Sequence, residues 1–183
     1  ATQLKMGVTG NSFSVELDGQ KLGDVATQLI GSFNVSNVLA VLATLLASGM
    51  SFEQAKVKIE LLKPVIGRLE ILRPRSAQMP IAVVDFAHTP DALEKVLKVL
   101  RPLAQSRGGK LWCLFGCGGN RDPIKRSLMG GIAEALADFV TVTSDNPRSE
   151  DPQVIVDQIL QGMQYPDKAL VNLDRASAIL QTI

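Results

Sequence analysis

The first part of the chain alternates apolar and polar residues, a pattern typical of strands with one buried face. Within residues 1–31, the apolar residues on one strand face lie two positions apart: Phe13, Val15 and Leu17. Asp18-Gly19 follows directly and is a hairpin turn signal. We therefore predict two short strands joined by a tight turn in this region.

The spacing of apolar residues then changes to that of helices. Residues 33–48 are apolar around most of the helical circumference, which predicts a buried helix. Ser-Phe-Glu-Gln at residues 51–54 resembles a capping box and should open a second helix that runs to about Leu62. Pro64 and Gly67 break the helical pattern, so we place a domain boundary there.

Beyond Gly67 the chain alternates between short apolar runs and amphipathic stretches of helical period. The apolar runs predict strands at residues 69–73, 80–85, 110–116, 138–144 and 168–172. The amphipathic stretches predict helices at residues 90–100, 123–136, 152–164 and 174–182. Such alternation is typical of an α/β fold, in which the strands pair in parallel and helices cover the faces of the sheet.

Polar and glycine-rich segments follow three of the predicted strands. They are Asp-Phe-Ala-His at residues 85–88, Gly-Cys-Gly-Gly-Asn-Arg-Asp at 116–122, and Ser-Asp-Asn-Pro-Arg-Ser-Glu at 144–150. Ligands of parallel α/β sheets bind outside the carboxyl ends of the strands. We therefore expect all three segments to lie on one sheet edge. Thr89 and Pro90 follow the first segment, and they suit the cap and first turn of a helix.

Each segment has a functional and a purely structural explanation. Glycines at 116, 118 and 119 let a backbone approach a ligand closely, but they also suit a tight strand-to-helix turn. Asp145, Asn146 and Arg148 supply the groups that hold an amino acid zwitterion, but Asp-Asn-Pro is also favourable turn chemistry. One such loop favours the structural explanation, whereas three on one edge favour a binding site.

Composition narrows the classes of function. Lys and Arg total 19 against 18 Asp and Glu, and aromatic residues make up only 4% of the chain. This balance argues against a partner that is nucleic acid or a membrane surface. No apolar run approaches the roughly 20 residues that span a bilayer. Two cysteines and one histidine do not support a zinc site. We expect a cytoplasmic protein with reduced cysteines.

The segments at 85–95, 111–122 and 145–148 together resemble the Mur ligases of peptidoglycan synthesis. Within them the chain is similar to the branch that adds 2,6-diaminopimelate to UDP-N-acetylmuramoyl-L-alanyl-D-glutamate. The resemblance implies that residues 1–66 are the C-terminal part of a central ATP-binding domain. It implies that residues 67–183 are an amino-acid-binding, Rossmann-like C-terminal domain with a mainly parallel sheet, truncated at its end.

The resemblance also assigns roles to individual residues. The residues implied to bind ATP are Asn34, Asn37, Arg68, Asp85 and His88. Among these, Asn37 matches a contact to adenine, Arg68 a contact near the phosphates, and Asp85 a contact to ribose. The residues implied to bind diaminopimelate are Arg121, Asp145, Asn146 and Arg148. Asn120 stands where the family commonly has aspartate, and we expect this change to leave the assigned contacts untouched.

The implied reaction is ATP-driven amide-bond formation through an acyl phosphate on the UDP-linked dipeptide, with meso-diaminopimelate as the incoming amine. Mg²⁺ would be held mainly by a part of the enzyme upstream of this chain. We therefore predict no catalytic nucleophile and no metal ligand in this chain, and no activity of the fragment alone. We also expect a monomer. Two alternatives stay open: a stand-alone module that binds an amino acid or nucleotide, and a ligase like folylpolyglutamate synthase. The Asp-Asn-Pro-Arg loop argues against the second.

Overall fold

The structure is a computed structural model that describes residues 1–7, 9–72, 74, 76 and 79–183. The chain forms two compact units, Ala1–Asp85 and Phe86–Ile183. The domain boundary between residues 66 and 67 stays a prediction. Within the described residues, every helix is too short or too polar to cross a membrane.

The first unit begins with a three-stranded antiparallel sheet. Its strands are β1 (Thr2–Gly7), β2 (Gly10–Leu17) and β3 (Gln20–Thr27). The predicted hairpin turn is confirmed, since Asp18 and Gly19 join β2 to β3 with positive φ angles of 51° and 80°. Phe13 and Val15 are buried as the alternation predicts, whereas Leu17 lies at the end of the hairpin with 55% of its surface exposed.

Two helices pack against this sheet, α1 (Ser32–Ala47) and α2 (Phe52–Glu60). The capping box is confirmed: Gln54 N donates to Ser51 Oγ at 3.3 Å, and Ser51 N donates to Gln54 Oε1 at 3.0 Å. The prediction that α1 is buried on most sides is wrong. Its fully buried side chains form one stripe, made of Val35, Val38 and Leu42. An apolar stripe is enough to cover the sheet, so the remaining apolar residues stay at least partly exposed.

The strands β4 (Glu70–Leu72) and β5 (Ala82–Val84) complete the first unit as an antiparallel pair, with Ile71 opposite Val83. The prediction that these strands belong to a parallel sheet is wrong. Only residues 73–81 connect them, and a parallel pair needs a crossover of a dozen or more residues. The predicted strand at 69–73 includes residue 73, which lies outside the described residues.

The second unit contains the predicted parallel sheet, with strand order β6-β7-β8. The strands are β6 (Trp112–Phe115), β7 (Phe139–Val142) and β8 (Leu170–Val171). The helices are α3 (Pro90–Ser106), α4 (Ile124–Leu136), α5 (Pro152–Leu160) and α6 (Arg175–Thr182). Thr89 caps α3 as predicted, because its side chain accepts from Ala92 N at 3.3 Å and Pro90 opens the first turn. The parallel sheet and the helices between its strands confirm the predicted α/β fold class.

Asp138 holds the amino ends of β6 and β7 together. Its Oδ2 accepts from Leu111 N at 2.8 Å and from Arg101 Nη1 at 2.5 Å. Arg101 also donates to the carbonyl of Leu136 at 2.6 Å. The backbone hydrogen bond from Leu111, followed by the bond from Arg101, lowers the pKa of the Asp138 carboxyl. This pair therefore fixes the sheet edge opposite to the carboxyl ends of the strands.

Helix α4 packs closely against α5 and against the turn that follows it, at two glycines. A Cβ atom on Gly130 would lie 2.1 Å from the carbonyl oxygen of Ile159, and one on Gly162 would lie 1.8 Å from that of Ser127. Both positions therefore exclude a side chain unless the backbone shifts. This close packing brings α5 beside the first turn of α4, where Gln158 contacts Arg126.

Candidate functional site

Two loops at the carboxyl ends of neighbouring parallel strands pack against each other. We name residues 116–122 the β6 loop and residues 144–150 the β7 loop. Gly119 N donates to the carbonyl of Asn146 at 2.8 Å. A Cβ on Gly116 would lie 2.2 Å from the oxygen of Thr143, and one on Gly119 would lie 1.8 Å from that of Pro147. The space beside these two glycines is therefore filled by the other loop, which favours the structural explanation for them.

Arg148 spans both loops. Its backbone has a positive φ of 52°, and its Nη1 donates to the carbonyl of Gly119 at 2.6 Å. A Cβ on Gly118 would lie only 2.9 Å from the same Nη1, so the guanidinium packs over the glycine turn. A guanidinium carries five N–H donors. The bond to Gly119 uses one of them, and the exposed side chain retains others with which it can meet an anion.

Asn120 has a larger role than we expected from the sequence. It adopts a positive φ of 50°, and its Oδ1 accepts from Ser149 N at 3.2 Å and from Ser149 Oγ at 3.0 Å. Its backbone N donates to the carboxylate of Glu150. Asparagine tolerates this backbone region better than most residues. The residue thus connects the β6 loop to the β7 loop through both its backbone and its side chain.

Arg126 is the residue that sequence reasoning missed. It lies in the first turn of α4 with only 2% of its surface exposed. Its guanidinium forms a two-pronged ion pair with Glu150, at 2.7 and 3.0 Å. It also donates to Gln158 Oε1 at 2.6 Å and to the carbonyl of Gly118 at 3.1 Å. The signal was present in the sequence, because helical spacing puts residue 126 on the same face as the buried Met129 and Ala133.

The ion pair changes the titration of both partners. The hydrogen bond from Arg126, followed by that from the backbone of Asn120, lowers the pKa of Glu150 to about 2. The same hydrogen bond raises the pKa of Arg126. Burial raises the pKa of the nearby Cys117 thiol to about 11, so this cysteine stays protonated at neutral pH. A thiolate nucleophile at Cys117 is therefore not supported.

Acid should weaken the folded protein through Glu150. A carboxyl whose pKa is 4.5 when unfolded and about 2 when folded stabilises the fold above pH 4.5. We expect the free energy of unfolding to fall as the pH drops from 4.5 to about 2. Denaturant unfolding across this range measures the effect, and Glu150→Gln should flatten the profile. Glu94→Gln, which removes an exposed carboxylate of α3, is the control and should keep it. Equal profiles for all three proteins would contradict the assignment.

The other residues predicted to bind the amino acid also lie in the loop pair. Arg121, Asp145 and Asn146 are all exposed. The Cγ of Arg121 is 3.9 Å from where a Cβ of Gly118 would be, and the charge of Asp145 acts on the Cys117 thiol. The four residues Arg121, Asp145, Asn146 and Arg148 therefore share one edge of the parallel sheet. The expectation that all three segments follow strands of one parallel sheet is wrong for residues 85–88, since Asp85 follows β5, which pairs antiparallel with β4.

The residues predicted to bind the nucleotide are divided between the units. In the first unit, Asn34 Nδ2 donates to the carbonyl of Ile30 at 2.8 Å, and Asn37 Nδ2 donates to Asn34 Oδ1 at 3.0 Å. The carboxylate of Asp85 accepts from Leu69 N at 2.8 Å, and Arg68 is exposed. The second unit carries His88, whose exposed ring has Nδ1 3.0 Å from the carbonyl of Phe86. Asn34 and Asp85 therefore have structural roles of their own.

Carboxylate groups suited to a metal are not clustered in the part of the chain that the structure describes. Among the described residues, no group of three or more His, Cys, Asp or Glu side chains is close enough together to hold a metal ion. Mg²⁺ prefers carboxylate oxygens and phosphates as ligands. The described residues therefore contain no cage of protein ligands for a metal ion.

Comparison with known proteins places this arrangement in a family. The family model "Mur ligase, glutamate ligase domain" matches residues 67–183. The UDP-N-acetylmuramoyl-L-alanyl-D-glutamate–2,6-diaminopimelate ligase of Ralstonia nicotianae is 50% identical over 183 residues, which are 100% of this chain and 35% of that protein. The enzyme of the same name from Janthinobacterium is 47% identical over 98% of this chain and 35% of its own length.

Solved structures agree on the fold. A structure of a ligase of that same name is 35% identical, with a TM-score of 0.65 over 97% of this chain and 35% of the other. The folylpolyglutamate synthase of Thermotoga maritima has a TM-score of 0.76 over 100% of this chain and 41% of its own, but its identity of 22% supports the fold alone.

The chain spans about a third of the length of the curated relatives it matches. The matched family model nevertheless covers more than half of the chain, including both loops and every strand of the parallel sheet. The chain therefore belongs to the Mur ligase family.

Proposed function

We propose that this chain is the amino-acid-binding part of an ATP-dependent ligase that joins meso-diaminopimelate to UDP-N-acetylmuramoyl-L-alanyl-D-glutamate. The observation that carries the proposal is the β6–β7 loop pair, which groups Arg121, Asp145, Asn146 and Arg148 at the carboxyl edge of a parallel sheet. The names of relatives about half identical to this chain support it. Residues 67–183 would form the amino-acid-binding domain, and residues 1–66 the end of the central ATP-binding domain.

The loop pair has the groups that this amino acid requires. Diaminopimelate carries an ammonium and a carboxylate at each end, and one of its amines must remain available to attack. Guanidinium groups bind carboxylates through two parallel N–H bonds, and a carboxylate binds an ammonium. We assign Arg121 and Arg148 to the carboxylates, Asp145 to an ammonium, and Asn146 to either group. Lysine lacks the distal carboxylate, so Arg148 would discriminate against it.

The first unit would contribute to the nucleotide site. Asn37 donates one amide hydrogen to Asn34, which leaves its second N–H and its carbonyl oxygen for the edge of adenine. Arg68 would bind phosphate oxygens and Asp85 the ribose. His88, which belongs to the second unit, would bind a neighbouring part of the nucleotide. When bound, ATP supplies the phosphoryl group that activates the substrate carboxylate. We assign Mg²⁺ mainly to another part of the enzyme, with the phosphates of ATP as further ligands.

The role of this chain in the reaction is then to position the amine. The loops hold the amino acid so that its free amine reaches the activated carbonyl, and a well-oriented pair reacts far faster than free reactants. This role needs no nucleophilic side chain, in agreement with the protonated thiol of Cys117. We further propose that the enzyme is a cytoplasmic monomer that works on soluble substrates, without nucleic acid or membrane as partner.

A substrate panel on the full-length ligase tests the proposal. ADP release should depend on both UDP-N-acetylmuramoyl-L-alanyl-D-glutamate and meso-diaminopimelate, and L-lysine should support at most a few per cent of that rate. Equal use of lysine would contradict the assignment of Arg148. Turnover with a folylglutamate substrate would favour the folylpolyglutamate synthase alternative. Diaminopimelate binding without ADP release under any condition would favour a binding module.

A further inference from the structure

The ion pair between the buried Arg126 and the half-buried Glu150 joins helix α4 to the end of the β7 loop. We propose that these two are positioning residues for the amino acid site, which fix the β6 and β7 loops in the register that places Arg148. The inference rests on the proposed function for the identity of the amino acid. With 2% of its surface exposed, Arg126 does not contact a ligand in the loops, so any effect it has on binding must act through its neighbours.

The contacts form a continuous path from α4 to Arg148. Arg126 binds both carboxylate oxygens of Glu150 in the β7 loop and the carbonyl of Gly118 in the β6 loop. The next carbonyl, that of Gly119, accepts from Arg148. The Gly118 carbonyl and the Gly119 N–H belong to one planar peptide group, and that N–H donates to the carbonyl of Asn146 at 2.8 Å. Displacing the Gly118 carbonyl therefore also disturbs the bond that anchors Gly119, whose own carbonyl is the partner of Arg148.

Glu150 fixes the position of the two loops relative to each other. Besides Arg126, its carboxylate accepts from the backbone N of Asn120, which lies next to Gly119. Glu150 thereby binds both the helix and the β6 loop while belonging to the β7 loop. Breaking a buried pair on one side leaves the other partner without a counter-charge. The loops must then rearrange, and a displacement of about 1 Å in a binding group can cost about a hundredfold in rate.

The fold supplies a matched control at the opposite ends of the same strands. Asp138 also binds one arginine, Arg101, and one backbone N–H, that of Leu111. Its pair joins the amino ends of β6 and β7, whereas the Arg126–Glu150 pair joins the two loops at their carboxyl ends. A purely structural contribution should appear in variants of both pairs. A positioning contribution should appear only at Glu150 and Arg126.

The experiment compares Glu150→Gln and Asp138→Asn in the full-length ligase, after the wild-type enzyme has been shown to use meso-diaminopimelate. We expect Glu150→Gln to raise the KM for meso-diaminopimelate by about tenfold, with the KM for ATP within twofold. Asp138→Asn should lower Tm without changing either KM by more than twofold. Arg126→Lys, which keeps the charge but not the fork, should fall between wild type and Glu150→Gln. Equal effects of Glu150→Gln and Asp138→Asn on the KM for meso-diaminopimelate would overturn the proposal.

A second measurement separates this inference from the proposed function, because it needs no substrate. Hydrogen exchange of the backbone amides should become faster in both loops in Glu150→Gln, and stay unchanged there in Asp138→Asn. Unchanged exchange in Glu150→Gln would overturn the positioning role, whatever the enzyme uses as substrate. If Glu150→Gln fails to fold, Arg126→Lys provides the milder test, since it keeps the positive charge but loses the two-pronged bond to Glu150. Faster exchange in both loops would again support the role, and unchanged exchange would overturn it.

Discussion

Replacing Arg148 with alanine in the full-length ligase should lower kcat/KM for meso-diaminopimelate by about tenfold to a hundredfold, mainly through a higher KM. The reason is the loss of the proposed charge-assisted bond to the distal carboxylate, since a bond of this kind contributes about 1.5–3 kcal/mol. The loss should be specific, because L-lysine has no such carboxylate. Steady-state kinetics with both amino acids measure the change, and the preference for diaminopimelate over lysine should shrink by a similar factor.

Arg107→Ala is the matched control for this prediction. Arg107 is an exposed arginine at the C-terminal end of α3, on the side from which the chain enters β6. Its removal should leave both kinetic constants for diaminopimelate unchanged. If Arg148→Ala keeps the wild-type KM for diaminopimelate, the assignment of its guanidinium to the substrate is wrong, and the bond to the Gly119 carbonyl at 2.6 Å would be its whole role.

Replacing Gly119 with alanine should destabilise the second unit more than any single change on the surface. The added methyl group would lie 1.8 Å from the carbonyl oxygen of Pro147, which is backbone and cannot rotate away. Overpacking of this kind costs about 1–3 kcal/mol or more. Denaturant unfolding should show a lower midpoint, and the KM for meso-diaminopimelate should rise because the loops must separate.

Gly109→Ala tests whether this cost comes from the collision. Its Cβ would lie 3.7 Å from the oxygen of Ala104, an ordinary contact. We expect its unfolding midpoint to match that of the wild type. A Gly119→Ala protein as stable as Gly109→Ala would show that the β7 loop can move aside at no cost, and the tight packing of the two loops would then not be required.

The sequence predicted those features that local patterns determine. Asp18-Gly19 specified a hairpin, Thr89 and Ser51 specified helix starts, and the alternation after residue 90 specified a parallel sheet. The expectation that Asp85 follows a strand of the parallel sheet is wrong because it treats every predicted strand end alike. A three-residue strand such as β5 does not identify its partner, but the short connection before it already excluded a parallel crossover.

The candidate site can be proposed from the sequence where its residues lie in one loop, but not where they come from several elements. Asp145 and Arg148 can be proposed as ligand-binding residues because they lie within one four-residue segment. Arg126 and Glu150 are separated by 24 positions, and an isolated arginine is usually a surface residue. Only the position of Arg126 on the buried face of α4 indicated that it is buried. No local sequence pattern predicts that Glu150 is the partner of its charge.

The hydrogen bonds within the loop pair also bear on inhibitor design. The carbonyls of Gly118 and Gly119 each accept from an arginine, and that of Asn146 accepts from Gly119 N. A compound directed at this edge finds these acceptors already engaged, so amine-rich scaffolds gain little from them. The guanidinium groups of Arg121 and Arg148 favour scaffolds with two acidic groups instead. Carboxylate mimics such as tetrazoles or phosphonates, combined with one ammonium group for Asp145, therefore suit this edge.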